Sequence, residues 1–346
     1  MNGFIRSVGA VFKNSLQVEK EHFCSELPPE RAIKLFKDHV ELIEVETTSY
    51  CNRTCSFCPN SFIDRRSEKT AMPEETWQAI LDGLQATNYD GTFVWSRYSE
   101  PLSEQRIVDR IKQVRIAAPK SRICVNSNGD YLDSDYLDEL RDAGLDRLFI
   151  DIYIPDEEEY SQEVISKYLE KFLKRVNKSY TVSKTSPEFS IKLDYSMETS
   201  AVFRNVKSIT QASLSSRGGL IQIKQTETRV SPCYAPYKHL VIDWDGSVVI
   251  CCQVRSDSLQ HKSAKVAVVG KDGVGLVDSY LKLSGWRNSL KAFGIKDEPC
   301  KGCNVELYSS NPVTKKVSEL LSDTESPLRY LFKKTFQPVL RKRVRW

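Results

Sequence analysis

The sequence predicts an α/β fold in which a partial, TIM-like (β/α)6 barrel is followed by a small α+β domain. Short apolar strand patterns alternate with amphipathic helix patterns up to about residue 225, and a β-hairpin pattern then replaces the alternation. Six repeats within about 185 residues are too few for a closed eight-stranded barrel, which favours an open one. In such sheets the functional residues lie on loops that follow the carboxyl ends of the strands.

Strand and helix patterns alternate along the N-terminal part of the chain. A lead-in over 1–40 contains one amphipathic helix that begins at Pro29. Trp77, Ile80 and Leu84 are spaced as one apolar face of the next helix. Further helices are expected over 107–114, from Ser134 to Gly144, over 160–172 and over 203–209. The predicted strands span 42–45, 92–95, 122–125, 148–152, 190–193 and 220–223.

The pattern changes after Thr226. Residues 238–250 predict a hairpin, because Asp245-Gly246 separates two runs of β-forming residues. A helix expected around 280–293 then leads to a Cys-x2-Cys pair. The predicted division of the chain is a lead-in (1–40), a barrel core (41–226), a small α+β domain (228–310) and a tail (311–346).

Composition narrows the class of protein. The 346-residue chain is 40% hydrophobic and 28% charged, as folded globular proteins are. It has no run of 18 apolar residues that could span a bilayer, and its first 15 residues lack the apolar segment and cleavage site of a signal peptide. We therefore expect a cytoplasmic protein, in which ten cysteines indicate metal or redox chemistry rather than disulfides.

Basic residues are concentrated at the C-terminus. Residues 326–346 contain seven basic residues and no acidic one, whereas the whole chain has a net charge of +4. Ser326-Pro327 begins a helix pattern in which Leu328, Leu331 and Phe332 follow at helical spacing. Such a segment can lie on an anionic membrane surface or bind an acidic partner. The alternative is a solvated tail docked on a slightly acidic body, and no specific nucleic-acid partner is expected.

Three cysteines, Cys51, Cys55 and Cys58, form a Cys-x3-Cys-x2-Cys loop directly after the first predicted strand. Three thiolates on one short loop can bind three irons of a [4Fe–4S] cube. The fourth iron then has an open coordination site that S-adenosylmethionine can chelate. The alternative is a zinc loop or buried structural thiols, but zinc usually takes four ligands with a two-by-two spacing. The triplet therefore favours a cluster.

The triplet and two further motifs resemble the radical SAM superfamily. Phe57 supplies the aromatic residue typical before the third cysteine. Ser99-Glu100-Pro101, after the second predicted strand, resembles the family's Gly-Glu-Pro stretch, with Ser99 in place of glycine. Ser127-Asn128-Gly129, after the third, resembles its Thr-Asn-Gly stretch. The resemblance covers about residues 41–225.

The resemblance implies roles for these motifs. Glu100, with Ser99 and Pro101 beside it, is expected to bind the amino group of S-adenosylmethionine. Ser127, Asn128 and Gly129 are expected to line the ribose side. Arg53 and Thr54 are expected to shape the cluster loop.

A second cysteine set lies in the C-terminal third: Cys233, Cys251, Cys300 and Cys303. This set resembles the auxiliary-cluster domain of the SPASM/twitch branch of the superfamily. The full SPASM pattern has further cysteines downstream, and none follows Cys303. The resemblance therefore implies the shorter twitch version, with one auxiliary [4Fe–4S] cluster bound by four cysteines. A four-cysteine zinc site is the alternative.

Other residues carry less specific signals. Cys252 is a spare ligand, a hydrogen-atom donor or a buried thiol, and we take it as a candidate catalytic residue. Cys24 and Cys124 are expected to be structural. Lys192, Asp194 and Tyr195 follow the fifth predicted strand and face either the site or solvent.

The resemblance implies an oxidoreductase with two [4Fe–4S] clusters. A reductant such as flavodoxin or ferredoxin would supply the electron that cleaves S-adenosylmethionine into methionine and a 5′-deoxyadenosyl radical. The radical would abstract hydrogen from an unactivated C–H bond of a sugar, an aminocyclitol or a peptide. Two-electron oxidation is favoured, and redox-neutral epimerisation with Cys252 as hydrogen donor is the alternative. The non-enzyme alternatives are a zinc-stabilised binding protein and a factor that acts through the basic tail.

Overall fold

The computed structural model describes residues 19–212, 214–222, 229, 232–292 and 294–305. The expected tail helix and its membrane or acidic partner fall on residues 326–346, which lie outside the described residues. Within the described ranges, no helix has the length and apolarity needed to cross a bilayer.

One sheet contains the ten strands of the described chain. Its order is β10-β9-β8-β1-β2-β3-β4-β7-β6-β5. The strands from β8 to β7 in this order pair in parallel, and the pairs at both edges are antiparallel. The α/β fold with a sheet of parallel strands is therefore confirmed. The strands are β1 Leu42–Val45, β2 Thr92–Trp95, β3 Arg122–Ser127, β4 Arg147–Tyr153, β5 Tyr180–Lys184, β6 Phe189–Leu193, β7 Glu198–Arg204, β8 His239–Ile242, β9 Ser247–Val249 and β10 Lys265–Val268.

Helices connect the parallel strands and bury the apolar faces that the spacing predicts. Trp77, Ile80 and Leu84 are all buried on the second helix. The fourth helix begins as predicted, because the Asp133 side chain accepts a hydrogen bond from the Tyr136 N–H at 2.9 Å. The helices are α1 Pro29–His39, α2 Glu74–Thr87, α3 Ile107–Ala117, α4 Ser134–Asp142, α5 Gln162–Val176, α6 Val206–Ala212, α7 Ala235–Lys238, α8 Leu276–Leu281 and α9 Ser284–Leu290.

Two predicted strands differ in the structure. The fifth, 190–193, forms within β6 but runs antiparallel to β7, and β7 is the strand that pairs in parallel with β4. The sixth predicted strand, 220–223, is wrong for its described residues: residues 220–222 form no strand. They follow a turn at Gly218 and Gly219, whose φ angles are +65° and +87°. The sheet instead gains a parallel strand from β8, which pairs with β1.

The C-terminal segment is anchored by one buried arginine. The predicted helix around 280–293 is divided into α8 and α9. The guanidinium of Arg287, on α9, lies 3.8 Å from the centroid of the Tyr280 ring on α8. It donates hydrogen bonds to the carbonyls of Tyr280, Pro236 and His22. These bonds attach the lead-in and α7 to the same core.

We expect Gly246→Ala to lower the free energy of unfolding by about 1–3 kcal/mol through backbone strain, with an additional steric cost. Gly246 has φ +80°, and an added Cβ would lie 3.0 Å from the Thr76 side chain and the Val269 carbonyl. Gly273→Ala is the matched control, because Gly273 has φ +74° and nothing within 4 Å of an added Cβ. Urea denaturation measures both, and an equal loss in the two variants would contradict the steric part.

Candidate active site

A cavity of about 460 Å³ lies at the carboxyl ends of the parallel strands. This volume is within the range of small-molecule sites, about 300–1,000 Å³. Its wall is made by the three-cysteine loop, by residues that end β1 to β4 and β7, and by the segment after β9. The cavity is lined, among others, by Glu44, Cys51, Arg53, Cys55, Phe57, Cys58, Asn60, Arg97, Tyr98, Ser99, Glu100, Ser127, Asn128, Asp151, Tyr153, Glu188, Arg204, Arg217, Cys252 and Gln253.

The three-cysteine loop is held in shape by hydrogen bonds at both ends. The Cys51 N–H donates to the Arg65 carbonyl at 3.0 Å, and the Cys58 N–H donates to the Cys55 carbonyl at 2.9 Å. Between them, Arg53 forms a bidentate pair with Asp130, with both N–O distances 2.6 Å. The three cysteines therefore lie on one closed turn that lines the cavity.

Burial keeps these thiols neutral in the absence of metal. It raises the pKa of Cys55 to about 12 and that of Cys51 to about 11, and the nearby sulfur of Cys58 also raises both pKa values. Thiolates bind metal, so loading of this loop would release protons. Three mutually close thiols on a cavity wall are a donor set that suits three corners of a cluster.

The two other motifs meet beside the thiols. Glu100 is buried and accepts hydrogen bonds from the Leu102 N–H, the Ser127 hydroxyl and the Asn128 N–H at 3.0, 2.6 and 2.7 Å. Burial raises its pKa to about 7. Ser99 also lines the cavity. Pro101 begins a single 3-10 turn behind Glu100, and Gly129 takes φ +72° directly after Asn128.

Several charged residues of the cavity were not predicted. Asp151 lies two residues before the end of β4 and Arg204 ends β7, and their side chains pair at 2.7 Å. Arg204 also contacts Glu188 at 2.9 Å. Burial raises the pKa of Asp151 to about 6 and also raises that of Glu44 on β1. The available signal was a carboxylate inside an otherwise apolar strand, as in Leu42–Val45 and in Arg147–Tyr153.

Arg217 is the cavity cation with the least support from neighbouring side chains. Its backbone has φ +50°, in the left-handed region that disfavours arginine. Its guanidinium lies 5.9 Å from the Tyr98 ring centroid, and its buried Nε has no hydrogen-bond partner among the described residues. Such a group is available to an oxygen of a bound molecule.

Cys251 and Cys252 are adjacent in the chain but belong to different surroundings. Cys252 lines the cavity, and its sulfur accepts a hydrogen bond from the Gln253 amide at 3.5 Å. Cys251 packs against the hydrophobic core, where burial and the sulfurs of Cys252, Cys300 and Cys233 hold its pKa well above the usual range.

The structure brings the second cysteine set together away from the cavity wall. Burial raises the pKa of Cys300 to about 12, and the nearby sulfurs of Cys233 and Cys303 add to the shift. The Cys303 N–H donates to the Cys300 carbonyl at 3.1 Å, and the Cys233 N–H donates to the Leu290 carbonyl at 3.0 Å. The four cysteines, each partly buried, thus form a second group.

Lys192 and Tyr195 do not reach the cavity wall. Lys192 is exposed on β6, and the Tyr195 hydroxyl accepts a hydrogen bond from Arg141 of α4 at 2.8 Å. Of the two alternatives for these residues, the site placement depended on a parallel fifth strand, and β6 is antiparallel to β7.

The model of the Radical SAM superfamily matches residues 45–185. The chain carries a radical SAM domain. The expectation of a radical SAM enzyme is therefore confirmed, and the non-enzyme alternatives are not. A radical SAM domain implies a [4Fe–4S] cluster and S-adenosylmethionine, and the donor set of the three-cysteine loop suits that cluster.

Known proteins resemble the chain beyond the radical SAM domain. S-adenosyl-L-methionine-dependent 2-deoxy-scyllo-inosamine dehydrogenase of Niallia circulans is 24% identical over 265 residues, 76% of this chain and 92% of that protein. GTP 3′,8-cyclase of Peptoclostridium acidaminophilum is 25% identical over 147 residues, 42% of this chain and 44% of that protein. The crystal structure of BtrN in complex with AdoMet and 2-DOIA covers 77% of this chain and 93% of its own, at a TM-score of 0.55 and 22% identity.

We expect each cysteine set to hold about four irons. Replacing Cys51, Cys55 and Cys58 by Ala should remove four irons and abolish 5′-deoxyadenosine formation. Replacing Cys233 and Cys251 should remove the other four. Cys24→Ala, outside both sets, is the control and should change neither. Iron analysis of the anaerobically reconstituted protein measures this, and four irons or zinc in the wild type would contradict the second cluster.

Proposed function

We propose that the protein is a radical SAM dehydrogenase that oxidises a hydroxyl-bearing carbon of an aminocyclitol or a related amino sugar. The observation that carries the proposal is one cavity in which the three-cysteine loop faces a set of buried carboxylates and arginines. Similarity to the 2-deoxy-scyllo-inosamine dehydrogenase over 92% of that protein supports the same class of substrate.

The cluster and S-adenosylmethionine would supply the radical chemistry, and side chains of the protein would hold them in position. When bound, the cluster on Cys51, Cys55 and Cys58 and its S-adenosylmethionine supply a 5′-deoxyadenosyl radical that takes one hydrogen atom from the substrate carbon. Glu100, beside Ser99, would bind the cofactor's amino group. Ser127, Asn128 and Gly129 would flank its ribose.

Charged side chains of the cavity suit an amine and hydroxyls. Glu44 and Glu188 are buried and line the cavity, where a substrate ammonium would offset the cost of their burial. Arg217, with its unpartnered Nε, would bind a hydroxyl oxygen. Asp151 has a pKa of about 6, so it is ionised at neutral pH and suited to accept the hydroxyl proton as the carbonyl forms.

Oxidation of the substrate radical requires an acceptor for one electron. We assign this role to an auxiliary [4Fe–4S] cluster on Cys233, Cys251, Cys300 and Cys303. Thiolates suit both iron and zinc, and the presence of the three-cysteine loop in the same chain favours iron. A reductant such as flavodoxin or ferredoxin would supply the electron for cofactor cleavage.

We expect the reconstituted, dithionite-reduced protein to form about one 5′-deoxyadenosine per ketone when 2-deoxy-scyllo-inosamine is the test substrate. Arg217→Lys keeps the charge but loses the planar fork, and should raise KM for this substrate by about tenfold. Mass spectrometry of both products measures the ratio. No 5′-deoxyadenosine would overturn the function, and 5′-deoxyadenosine without ketone would overturn the substrate class.

Cys252 supports epimerisation as a second candidate function, because it lines the cavity in which the substrate would bind. A thiol can return a hydrogen atom to the opposite face of a substrate radical. If oxidation is the reaction, Cys252→Ala in D2O should keep ketone formation within about threefold. Incorporation of one solvent deuterium at the reacting carbon by the wild type, and a stalled Cys252→Ala variant, would instead establish an epimerase.

A further inference from the structure

Buried charges connect the three-cysteine loop to the segment that follows Cys251 and Cys252. Asp257, on that segment, contacts Arg65, which follows the loop, at 2.8 Å. The Arg65 side chain is only 3% exposed. Its backbone carbonyl accepts the hydrogen bond from the Cys51 N–H, so the same residue holds the first cysteine and the distant segment.

Arg65 is also joined to the ends of the central strands. Its Nη1 lies 3.4 Å from Glu46 Oε2, directly after β1, and donates to the Ser49 carbonyl at 3.0 Å. The other oxygen of Glu46 accepts the N–H groups of Tyr98 and Ser99 at 2.7 and 2.8 Å. One carboxylate therefore connects β1, the turn after β2 and the cysteine loop.

A second route joins the same two segments through Arg255. Its guanidinium donates two hydrogen bonds to Asp257, both at 2.8 Å, and a third to Asn60 Oδ1 at 2.9 Å. Asn60 lies two residues after Cys58 and donates to the Tyr98 carbonyl at 2.8 Å. The Arg255 guanidinium also lies 4.5 Å from the Tyr98 ring centroid.

A third contact fixes the beginning of the segment. Arg97, at φ +89°, pairs with Asp243 at 2.9 Å and donates to the Val254 carbonyl. The other oxygen of Asp243 accepts the Ser256 N–H at 2.6 Å. The segment from Val254 to Asp257 is therefore attached at three points.

The charges of this network balance. Its members are three carboxylates and three guanidiniums: Glu46, Asp243, Asp257, Arg65, Arg97 and Arg255. Replacement of a buried ion pair by apolar residues is often neutral or stabilising, so such a network is weak evidence for stability. The bonds from Arg65 to Asp257 and from Arg255 to Asn60 join segments more than 190 residues apart and instead indicate a positional role.

We propose that the Arg65–Asp257–Arg255 bridge is a positioning device that sets the distance between the three-cysteine loop and the Cys251–Cys252 segment. This inference rests on the proposed function. The spacing matters only if a radical formed beside the three-cysteine loop leads to a substrate radical that is oxidised or given a hydrogen atom at the Cys251–Cys252 segment. The bridge would keep Cys252 at the cavity wall and hold the second cysteine group at a constant separation. Asp257 is the central positioning residue because its carboxylate contacts both arginines.

Asp257→Asn tests the bridge, because it removes the charge and keeps the shape of the side chain. In the reconstituted protein we expect backbone amides in peptides 59–66 and 252–258 to exchange hydrogen about tenfold faster. Peptide 77–84 of α2 should keep its rate. We also expect a higher yield of 5′-deoxyadenosine per ketone, a readout that mere loss of stability would not change.

Asp38→Asn is the matched control, because Asp38 pairs only with Lys34 on the exposed face of α1. If Asp257→Asn also quickens hydrogen exchange in α2, the Arg65→Lys variant tests the bridge separately. This variant keeps the positive charge but loses the planar guanidinium. It should quicken exchange in the same two peptides and in neither α1 nor α2. Faster exchange in 252–258 alone would overturn the bridge and leave a local turn. Hydrogen exchange needs no turnover, so this result stands even if the aminocyclitol is not oxidised.

Discussion

The parallel pairing of β1 with β8 is the constraint on which the site depends. β1 also pairs with β2, so one short strand joins the radical SAM core to the C-terminal hairpin. Because the two strands run in the same direction, their carboxyl ends meet at the same edge of the sheet. The cysteine loop follows β1 at that edge. β9 runs back antiparallel to β8 and ends opposite Val241, which is paired with Glu44 of β1, so the Cys251–Cys252 segment leaves the sheet close to β1. The pairing thus brings this segment near a loop about 200 residues earlier in the sequence.

Burial dictates the chemistry of the groups at that edge. In a weakly polar interior, thiols stay protonated and carboxylates are costly, unless each gains a partner. In the network around Asp257 each guanidinium faces a carboxylate, although Arg97 Nε and Nη1 have no hydrogen-bond partner among the described residues. In the cavity, Asp151 and Glu188 share Arg204, and Arg217 Nε has no hydrogen-bond partner within the described part of the chain. Arg217 is therefore the cation that an oxygen of a substrate or cofactor would pair with.

The sequence predicts the parts of this arrangement that depend on local pattern. The first four strands, the helices with apolar faces and the Asp245-Gly246 hairpin all follow from residues close in the chain. The direction of β6 and the pairing of β8 do not: β6 runs antiparallel to both of its neighbours, β5 and β7, and β8 pairs with β1, which lies about 200 residues earlier. The same limit applies to the site. The cysteine spacing indicates a cluster loop, but Arg204 and Arg217 carry no local signal that distinguishes them from surface arginines.

The adjacency of Cys251 and Cys252 ties the two candidate outcomes to a single backbone position. Cys251 faces the second cysteine group and Cys252 faces the cavity, so the electron acceptor and the hydrogen donor would differ by one residue. A substrate radical near Cys252 can gain a hydrogen atom from the thiol, or lose an electron toward the group that includes Cys251. Burial raises the pKa of Cys252, so its thiol stays protonated as a hydrogen donor requires, and the Gln253 amide donates a hydrogen bond to its sulfur. Under the proposal, the bridge between Arg65, Asp257 and Arg255 would keep both the thiol and the second cysteine group at constant positions relative to the substrate radical.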